Sequence, residues 1–193
     1  AERKGHVLRH KGPADQALLR LTWPTRDDSD PRETLTLDLL ERVVQLTLTE
    51  TLREQLGQAY SPSASSAPSA IWRGYGTFAV TATVSPANIP AAREAIGRAL
   101  GVLRDSALSD DLLTRARQPL LERYDNALKG NGGWLSLIAR AQSKPDRLER
   151  FRAPRGLLSS LTAGDVRAMA RRFLTPDGAG EIVILPAAAT SPP

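Results

Sequence analysis

The chain has 193 residues, enough for one well-cored domain and too few for two ordinary ones. It contains no cysteine, which excludes thiolate metal sites, a cysteine nucleophile and disulfides. The formal charge of +5 permits an acidic partner, but the basic residues are scattered among acidic neighbours and aromatic residues are few. No apolar run approaches the roughly 18 to 20 residues of a membrane span. We therefore expect neither a nucleic-acid partner nor a membrane partner.

Residues 1–15 are predicted to form an N-terminal arm or linker, because the segment is basic, contains glycine and has little periodicity. Both histidines, His6 and His10, lie in it with the spacing H-x-x-x-H, which on a helix would allow both to bind one metal. The segment has no helical pattern and no glutamate in the zinc-motif positions. We therefore predict no metal site there. Residues 16–186 are expected to form a single domain and residues 187–193 a disordered tail.

The domain begins with a period-two pattern over residues 17–23, which predicts a strand that Pro24 ends. Asp30, Pro31 and Glu33 then have the positions of an N-cap, a first helical residue and the partner in a capping box. They predict a long helix over about residues 31–56. Apolar residues recur at i+4 and are expected to form its buried face: Leu40, Val44, Leu48, Leu52 and Leu56. The opposite, polar stripe is expected to face solvent and consists of Asp38, Glu41, Arg42, Gln45, Thr49 and Arg53.

Gly57 is predicted to end this helix in a left-handed conformation. The Ser-, Ala- and Pro-rich residues 60–70 fit either a linker or an exposed edge strand. After a bend at residues 72–76, alternation over residues 77–84 predicts a half-buried antiparallel strand. Four further helices are predicted. The first spans residues 90–106, the second begins after Ser109 and is kinked at Pro119, the third lies around Trp134, and the fourth begins at a capping box formed by Thr162 and Asp165. Residues 144–154 are expected to be connective, and residues 180–185 to form the last strand.

The predicted order is a strand, a long helix, at least two strands, several helices and a final strand. This is not the alternation of a parallel α/β fold. It predicts an α+β fold in which helices pack on one face of an antiparallel sheet, as a two-layer sandwich.

Arg53 and Tyr60 are the candidate functional residues. Arg53 belongs to the last turn of the long helix and Tyr60 to the start of the next strand, so both side chains can face one opening. A serine nucleophile is disfavoured, since the cluster at residues 61–69 has no nearby histidine. Walker, G-x-S-x-G and G-x-G-x-x-G motifs do not occur. Taken alone, Arg53 would be a cation at a helix C-terminus and Tyr60 a packing residue.

Around this pair the chain resembles the C-terminal domain of the pitrilysin/insulinase-type zinc peptidases, the inverzincins. The resemblance runs from about Gln16 to Leu185 and includes the seven-residue spacing of Arg53 and Tyr60 around Gly57. Three further motifs support it: Trp23-Pro24-Thr25, the segment from Asn131 to Leu135, and the helix entry from Leu161 to Val166.

In that family the N-terminal homologous domain carries zinc in an H-x-x-E-H helix, a motif that this sequence lacks. The resemblance therefore implies the metal-free, substrate-binding half of a zinc metalloendopeptidase, inactive alone, with zinc in a partner domain or subunit. The substrate would be a peptide or an unfolded protein. Arg53 and Tyr60 would bind it, and Tyr60 would also stabilise the tetrahedral intermediate. We expect a periplasmic or secreted bacterial protein rather than a cytoplasmic one.

Two other functions remain open. One is a non-catalytic scaffold or processing-peptidase-like subunit of the same family, and the less favoured one is a basic nucleic-acid-binding domain. A homodimer is also compatible with the resemblance.

Overall fold

The computed structural model describes residues 5–56, 61–127, 129–139 and 147–187, with the backbone alone at 53–56, 61, 136 and 147–153. Two short 3-10 turns occur at Pro86–Asn88 and Pro176–Gly178. The five strands are β1 (His6–His10), β2 (Ala17–Thr25), β3 (Ser61–Pro68), β4 (Gly76–Val84) and β5 (Gly180–Pro186). The helices are α1 (Pro31–Leu56), α2 (Ile89–Asp105), α3 (Asp110–Asn126), α4 (Asn131–Ile138), α5 (Arg147–Ser160) and α6 (Ala163–Phe173).

The central strands β2 and β4 pair antiparallel along their whole length, with Trp23 opposite Phe78. Alternate residues of both strands are buried, as their period-two pattern predicts. The prediction that Pro24 ends the first strand is wrong, because β2 continues to Thr25. β5 pairs with β2 only as far as Thr22. Pro24 therefore lies where one side of the strand has no neighbour, a position at which proline is tolerated.

The sheet has the strand order β1-β5-β2-β4-β3. Three of its four strand pairs are antiparallel, whereas β1 runs parallel to β5 with His6 opposite Ile182. The α+β fold is confirmed, but the sheet is mixed rather than antiparallel throughout. Part of the predicted N-terminal arm thus belongs to the sheet. Residues 188–193, in the predicted tail, lie outside the described residues.

The helices pack on one face of the sheet, and the predicted apolar face of α1 forms the centre of the core. Leu40, Val44, Leu48 and Leu52 are fully buried, and they recur at i+4. Phe78 and Val80 of β4 and Ile96 of α2 are buried in the same cluster. None of the helices in the described segments is both long and apolar enough to cross a bilayer.

The start of α1 is where the sequence predicts it, but its capping differs in one respect. An Asp30 carboxylate oxygen accepts hydrogen bonds from the N–H groups of Arg32 and Glu33, at 2.9 and 3.1 Å. The side chain of Glu33 does not complete the predicted capping box. It is buried and pairs instead with Arg172 of α6, at 2.6 Å between Oε2 and Nη1. The Glu33 carboxylate therefore links α1 to α6 and does not cap the N-terminus of α1.

The later helices confirm most of the predicted caps. Ser109 accepts a hydrogen bond from Leu112, Pro119 lies inside α3, and Thr162 and Asp165 form a reciprocal capping box at α6. The prediction of a connective segment at residues 144–154 is wrong from residue 147 onward, since α5 occupies it with Pro154 inside the helix. A charged, proline-containing sequence favours a loop locally, and packing against α1 and α3 overrides that preference.

Two residues of the α1 stripe that was expected to face solvent, Glu41 and Gln45, bind instead to the edge strand β3. Gln45 Nε2 donates to the carbonyl oxygen of Pro62 at 2.9 Å, and Gln45 Oε1 accepts from the N–H of Ala64 at 2.8 Å. Glu41 Oε2 accepts from the N–H of Ser66, also at 2.8 Å. These contacts satisfy the backbone groups that β3 directs away from β4. The side chains thus take the place of a neighbouring strand.

Replacing Gln45 with alanine removes both of its bonds to β3 and leaves the bond between Glu41 and Ser66. We expect the variant to lose about 1–3 kcal/mol in the free energy of unfolding, because two edge groups lose their partner. We also expect the amide proton of Ala64 to exchange faster with solvent, while that of Ser66 stays protected. Urea unfolding and amide hydrogen exchange measure the two effects.

The matched control is Glu41→Ala, for which the pattern should reverse, with Ser66 exchanging faster and Ala64 protected. Equal protection of Ala64 in Gln45→Ala and in the original protein would show that the side-chain bridge does not hold the edge of β3.

Candidate functional site

The two predicted site residues flank the connection between α1 and β3. Arg53 lies in the last turn of α1, where the backbone alone is described, and Tyr60 lies outside the described residues. Gly57, predicted to end the helix, also lies outside them. The last described residue of α1 is Leu56, and β3 begins at Ser61. The helix end and the strand start are therefore where the sequence predicts them, and the joint orientation of the two side chains remains a prediction.

Arg53 is the last residue of the polar stripe of α1. Thr49, one turn before Arg53, donates its hydroxyl to the carbonyl oxygen of Gln45 at 2.7 Å, and its Oγ1 lies 3.2 Å from Gln45 Nε2. Gln45 in turn binds β3. Gln45 therefore ties the middle of α1 to the strand that follows the candidate site, and Thr49 supports the Gln45 side chain.

Burial raises the pKa of two carboxyl groups on the same stripe. For Asp38, desolvation outweighs the attraction of Arg123, whose Nη2 lies 3.5 Å from Asp38 Oδ2, so the pKa is raised. For Glu41, desolvation again dominates and raises the pKa. The hydrogen bond from Ser66 opposes the shift, and the charge of Asp38 adds to it. The stripe is therefore an environment that disfavours carboxylate charge.

The described residues offer no built metal centre. No group of three or more His, Cys, Asp or Glu side chains with metal-binding geometry occurs in the described ranges. His6 and His10 lie on β1 and not on a helix, so four residues of strand separate them by about 13 Å, too far to share one ion. His10 is also engaged by its neighbours, with Gly12 donating to Nδ1 and Nε2 lying 2.9 Å from the carbonyl oxygen of Gln16.

The glycine-rich segment at residues 130–133 is part of a helix entry. The sequence predicts a helix around Trp134, and α4 begins three residues earlier, at Asn131, so that it includes Gly132 and Gly133. Trp134, Leu135 and Ile138 of α4 are exposed. This arrangement has neither the preceding strand nor the lysine of a phosphate loop, as the sequence indicates.

One exposed feature was missed by sequence reasoning. The β3–β4 hairpin carries Ile71, Trp72 and Tyr75 outward, with 77%, 70% and 59% of their surfaces exposed. Gly74 adopts a positive φ of 69°, and its N–H donates to Asp27. Hydrogen bonds from Ser29 and from Gly74 lower the pKa of Asp27. The sequence predicted the bend from its glycines but gave no signal of which side chains face solvent.

The family model for the peptidase M16 inactive domain matches residues 1–120 of the chain. That span is more than half of the protein and includes the α1–β3 corner. The chain belongs to the peptidase M16 inactive-domain family. The resemblance drawn from Arg53, Tyr60 and the accompanying motifs is confirmed at the level of the family. The roles of the two residues are a separate question.

Similar proteins include the chloroplastic stromal processing peptidase of Pisum sativum, 29% identical over 109 residues, which cover 56% of this chain and 9% of that protein. Among solved structures, a protease from Helicobacter pylori has a TM-score of 0.80 at 15% identity, covering 94% of this chain and 44% of the other. The inactive peptidase domain of a putative zinc protease from Bordetella parapertussis has a TM-score of 0.75 at 16% identity, covering 94% and 98%. The periplasmic protease PqqL of Escherichia coli has a TM-score of 0.73 at 16% identity, covering 96% and 21%.

The structural likenesses establish the fold alone, because the identities are low. The chain matches nearly all of the isolated inactive domain from Bordetella parapertussis. It spans less than half of the protease from Helicobacter pylori and about a tenth of the curated relative. It is therefore a non-catalytic domain of a zinc-protease family, equivalent to one part of the larger proteins that it resembles.

Replacing Glu41 with glutamine keeps an oxygen acceptor for the N–H of Ser66 and removes a carboxylate whose charged form burial disfavours. The folded-state pKa of Glu41 is raised above the ordinary value of 4.5. The folded protein therefore binds this proton first as the pH falls. The contribution of Glu41 to stability rises as the pH drops through the raised pKa, and is complete below 4.5.

We expect Glu41→Gln to be more stable than the original protein at pH 7, and the difference to shrink toward about pH 4. Urea unfolding at the two pH values measures it, and titrating groups that do not interact with Glu41 cancel in the comparison. A difference that grows on acidification would contradict the assigned direction of the shift.

Proposed function

We propose that this chain is the metal-free, substrate-binding half of a zinc metalloendopeptidase. The match to the M16 inactive-domain family over residues 1–120 carries the proposal. Zinc and the general base would belong to a homologous partner domain or subunit, since the sequence has no H-x-x-E-H motif. The substrate would be a peptide or an unfolded protein held between the two halves.

The proposed roles of Arg53 and Tyr60 follow from the charge that peptide hydrolysis creates. Zinc in the partner domain would supply the activated water, and hydrolysis of the peptide bond would place negative charge on the carbonyl oxygen. A phenol hydroxyl aimed at that oxygen stabilises the transition state more than the ground state. A guanidinium presents a planar set of N–H donors and can hold substrate carbonyl oxygens beside the scissile bond. Tyr60 would thus act mainly on turnover and Arg53 mainly on binding.

The contacts between α1 and β3 support this assignment. A catalytic donor must be held within about half an ångström of its productive position, which requires a rigid support. The bonds from Gln45 and Glu41 to β3 tie α1 to the strand that begins directly after Tyr60. A corner fixed in this way is suited to presenting the side chains of Arg53, in the last turn of α1, and Tyr60, in the segment between α1 and β3.

The same contacts restrict how an extended peptide would bind. Peptides often add as a strand to an exposed sheet edge. The outer groups of β3 at Pro62, Ala64 and Ser66 are already bonded to α1. We therefore expect any strand pairing to come from the zinc-bearing half, while this chain contacts the peptide through side chains.

The occupied edge of β3 also favours a second candidate function. A scaffold subunit of the same family would need no free strand edge for substrate. In that case Arg53 and Tyr60 would be ordinary surface residues, and replacing them would leave catalysis unchanged. The two functions therefore differ in the kinetic result of one pair of variants.

In the assembled enzyme, Tyr60→Phe removes the phenol hydroxyl and preserves the ring. We expect kcat to fall by about 10²–10³-fold with little change in KM, because the lost donor acts in the transition state. We expect Arg53→Met chiefly to raise KM. Steady-state kinetics with an unfolded protein substrate measures both effects.

Tyr75→Phe is the matched control, since it removes a phenol from the exposed hairpin. It should leave both constants unchanged. Unchanged turnover in Tyr60→Phe would remove Tyr60 from the mechanism and favour the scaffold.

The isolated chain should bind zinc only weakly and below one equivalent. Its two histidines lie too far apart on β1 to share an ion, and it has no cysteine. Dialysis against zinc followed by metal analysis tests this expectation, with His10→Ala as the control. Tight binding of one zinc per chain would contradict the proposed division of labour.

We further propose a periplasmic or secreted location in a bacterium. The structural likeness to the periplasmic protease PqqL supports this location without establishing it. Fractionation of cells that produce the full-length protein tests it.

A further inference from the structure

A groove of about 300 Å³ lies between α2 and the strands β2 and β5, with the turn before β5 closing its far side. This volume is at the lower end of the range for small-molecule sites, roughly 300–1,000 Å³. Arg53 and Tyr60 are not among its lining residues. The lining residues are Leu21, Trp23, Arg93, Gly97, Leu100, Arg104, Thr175, Pro176, Ala179 and Glu181.

The groove has a firm apolar floor. Trp23 is buried, with 3% of its surface exposed, and its indole N–H donates to the carbonyl oxygen of Thr175 at 2.9 Å. This bond ties the strand β2 to the turn on the opposite wall. Leu21 and Leu100 are also buried, and they line the groove together with Trp23. The floor is therefore set by the core and not by mobile surface side chains.

Gly97 keeps the α2 wall of the groove open. It lies in the middle of the helix, where glycine is less favourable than alanine by about 0.5–1 kcal/mol. A Cβ atom at this position would meet no atom within 4 Å. The missing side chain therefore leaves space and relieves no clash. A larger residue here would fill the groove without disturbing the packing around it.

The charge at the two ends of the groove differs. Arg93 and Arg104 are eleven residues apart on α2, which places them about 16 Å apart along the helix. The Arg93 guanidinium is engaged by Glu181 through two hydrogen bonds, Nε to Oε2 at 2.8 Å and Nη2 to Oε1 at 2.7 Å. That end of the groove is neutralised.

The Arg104 end retains positive charge. Arg104 donates from Nη1 to the carbonyl oxygen of Leu174 at 2.8 Å, and no ion pair within the described segments includes it. Arg171 adds a second guanidinium nearby, with its Nε 2.6 Å from the main-chain oxygen of Arg104. Neither Asp105 nor Asp177 lines the groove. Glu181 is the carboxylate among the lining residues, and it is paired with Arg93 at the other end of the groove. An anion at the Arg104 end would thus meet guanidinium donors rather than that carboxylate.

We propose that this groove binds a small amphipathic carboxylate. Its apolar body would lie over Leu21, Trp23 and Leu100 beside Gly97, and its carboxylate would accept hydrogen bonds from Arg104. Of the two guanidinium groups at this end, only that of Arg104 lines the groove, and one such donor group suits a monoanion. A compound of about ten non-hydrogen atoms would fill the space and bind with a Kd of roughly 0.1–1 mM. The site is independent of the peptidase proposal.

The probe is octanoate, titrated into the uniformly ¹⁵N-labelled chain, with neutral octanamide as its uncharged counterpart. The chain has three tryptophans and so gives three indole N–H resonances. Trp23 is in the groove, whereas Trp72 and Trp134 are exposed and serve as internal controls. We expect a saturable shift of the Trp23 indole resonance with octanoate. Octanamide should bind at least about tenfold more weakly, because it lacks the charge that Arg104 meets.

Two matched variants test the shape of the groove and a third tests its charge. Gly97→Leu should abolish the Trp23 shift while the fold is kept or stabilised, since leucine favours helix. Gly97→Ala should keep the shift. Arg104→Met should weaken octanoate to the level of octanamide, with circular dichroism confirming that loss of the bond to Leu174 leaves the fold intact.

Several results would overturn the proposal. One is the absence of a saturable Trp23 shift. Another is an equal response to octanoate in Gly97→Leu, and a third is equal binding of octanoate and octanamide. If a short unfolded peptide shifts the Trp23 resonance and octanoate does not, the groove recognises polypeptide and the proposal is wrong.

Discussion

The bridge from Gln45 to Pro62 and Ala64 is the contact on which the proposed site depends. A side-chain amide carries both a donor group and an acceptor group, and here each of them meets the outer edge of β3, at 2.9 and 2.8 Å. With Glu41 bound to Ser66, the helix replaces the strand that an exposed edge would otherwise attract. The longest helix and the last strand of the sheet are therefore held as one corner. Arg53 and Tyr60 flank the connection at that corner.

The contacts between α1 and β3 bear on how the domain would contact a peptide substrate, through its side chains or through backbone pairing. Because the β3 edge is occupied, the domain is better suited to offering side chains to a peptide than to pairing with its backbone. That division fits the proposed function, in which a domain without a metal motif would contribute hydrogen-bond donors and a partner domain would hold the zinc. The groove along α2 is built from other residues, so its ligand and the peptidase role can be tested separately.

Much of the fold was predictable because its signals are local. The alternation in β2 and β4, the buried spacing of α1, and the caps at Asp30, Ser109 and Thr162 all appear in the structure. The sequence predictions that were wrong concern features that depend on contacts between residues far apart in the sequence. Nothing within residues 6–10 indicates that they pair with residues 182–186, and α5 forms against its local preference. The polar stripe of α1 has the sequence pattern of a solvent-facing surface, but its residues Glu41 and Gln45 bind the backbone of β3.

The candidate site was predicted from two residues and their spacing. The structure describes the backbone of α1 as far as Leu56 and β3 from Ser61, and Tyr60 lies outside the described residues. A crystal structure of the assembled protease, with its general base replaced and a peptide bound, tests the account most directly. The account predicts the Tyr60 hydroxyl at about 2.7–3.1 Å from the site of the developing oxyanion, Arg53 on neighbouring carbonyl oxygens, and the Gln45 bridge intact. Tyr60 directed away from the peptide, or a peptide strand paired with β3 in place of Gln45, would contradict it.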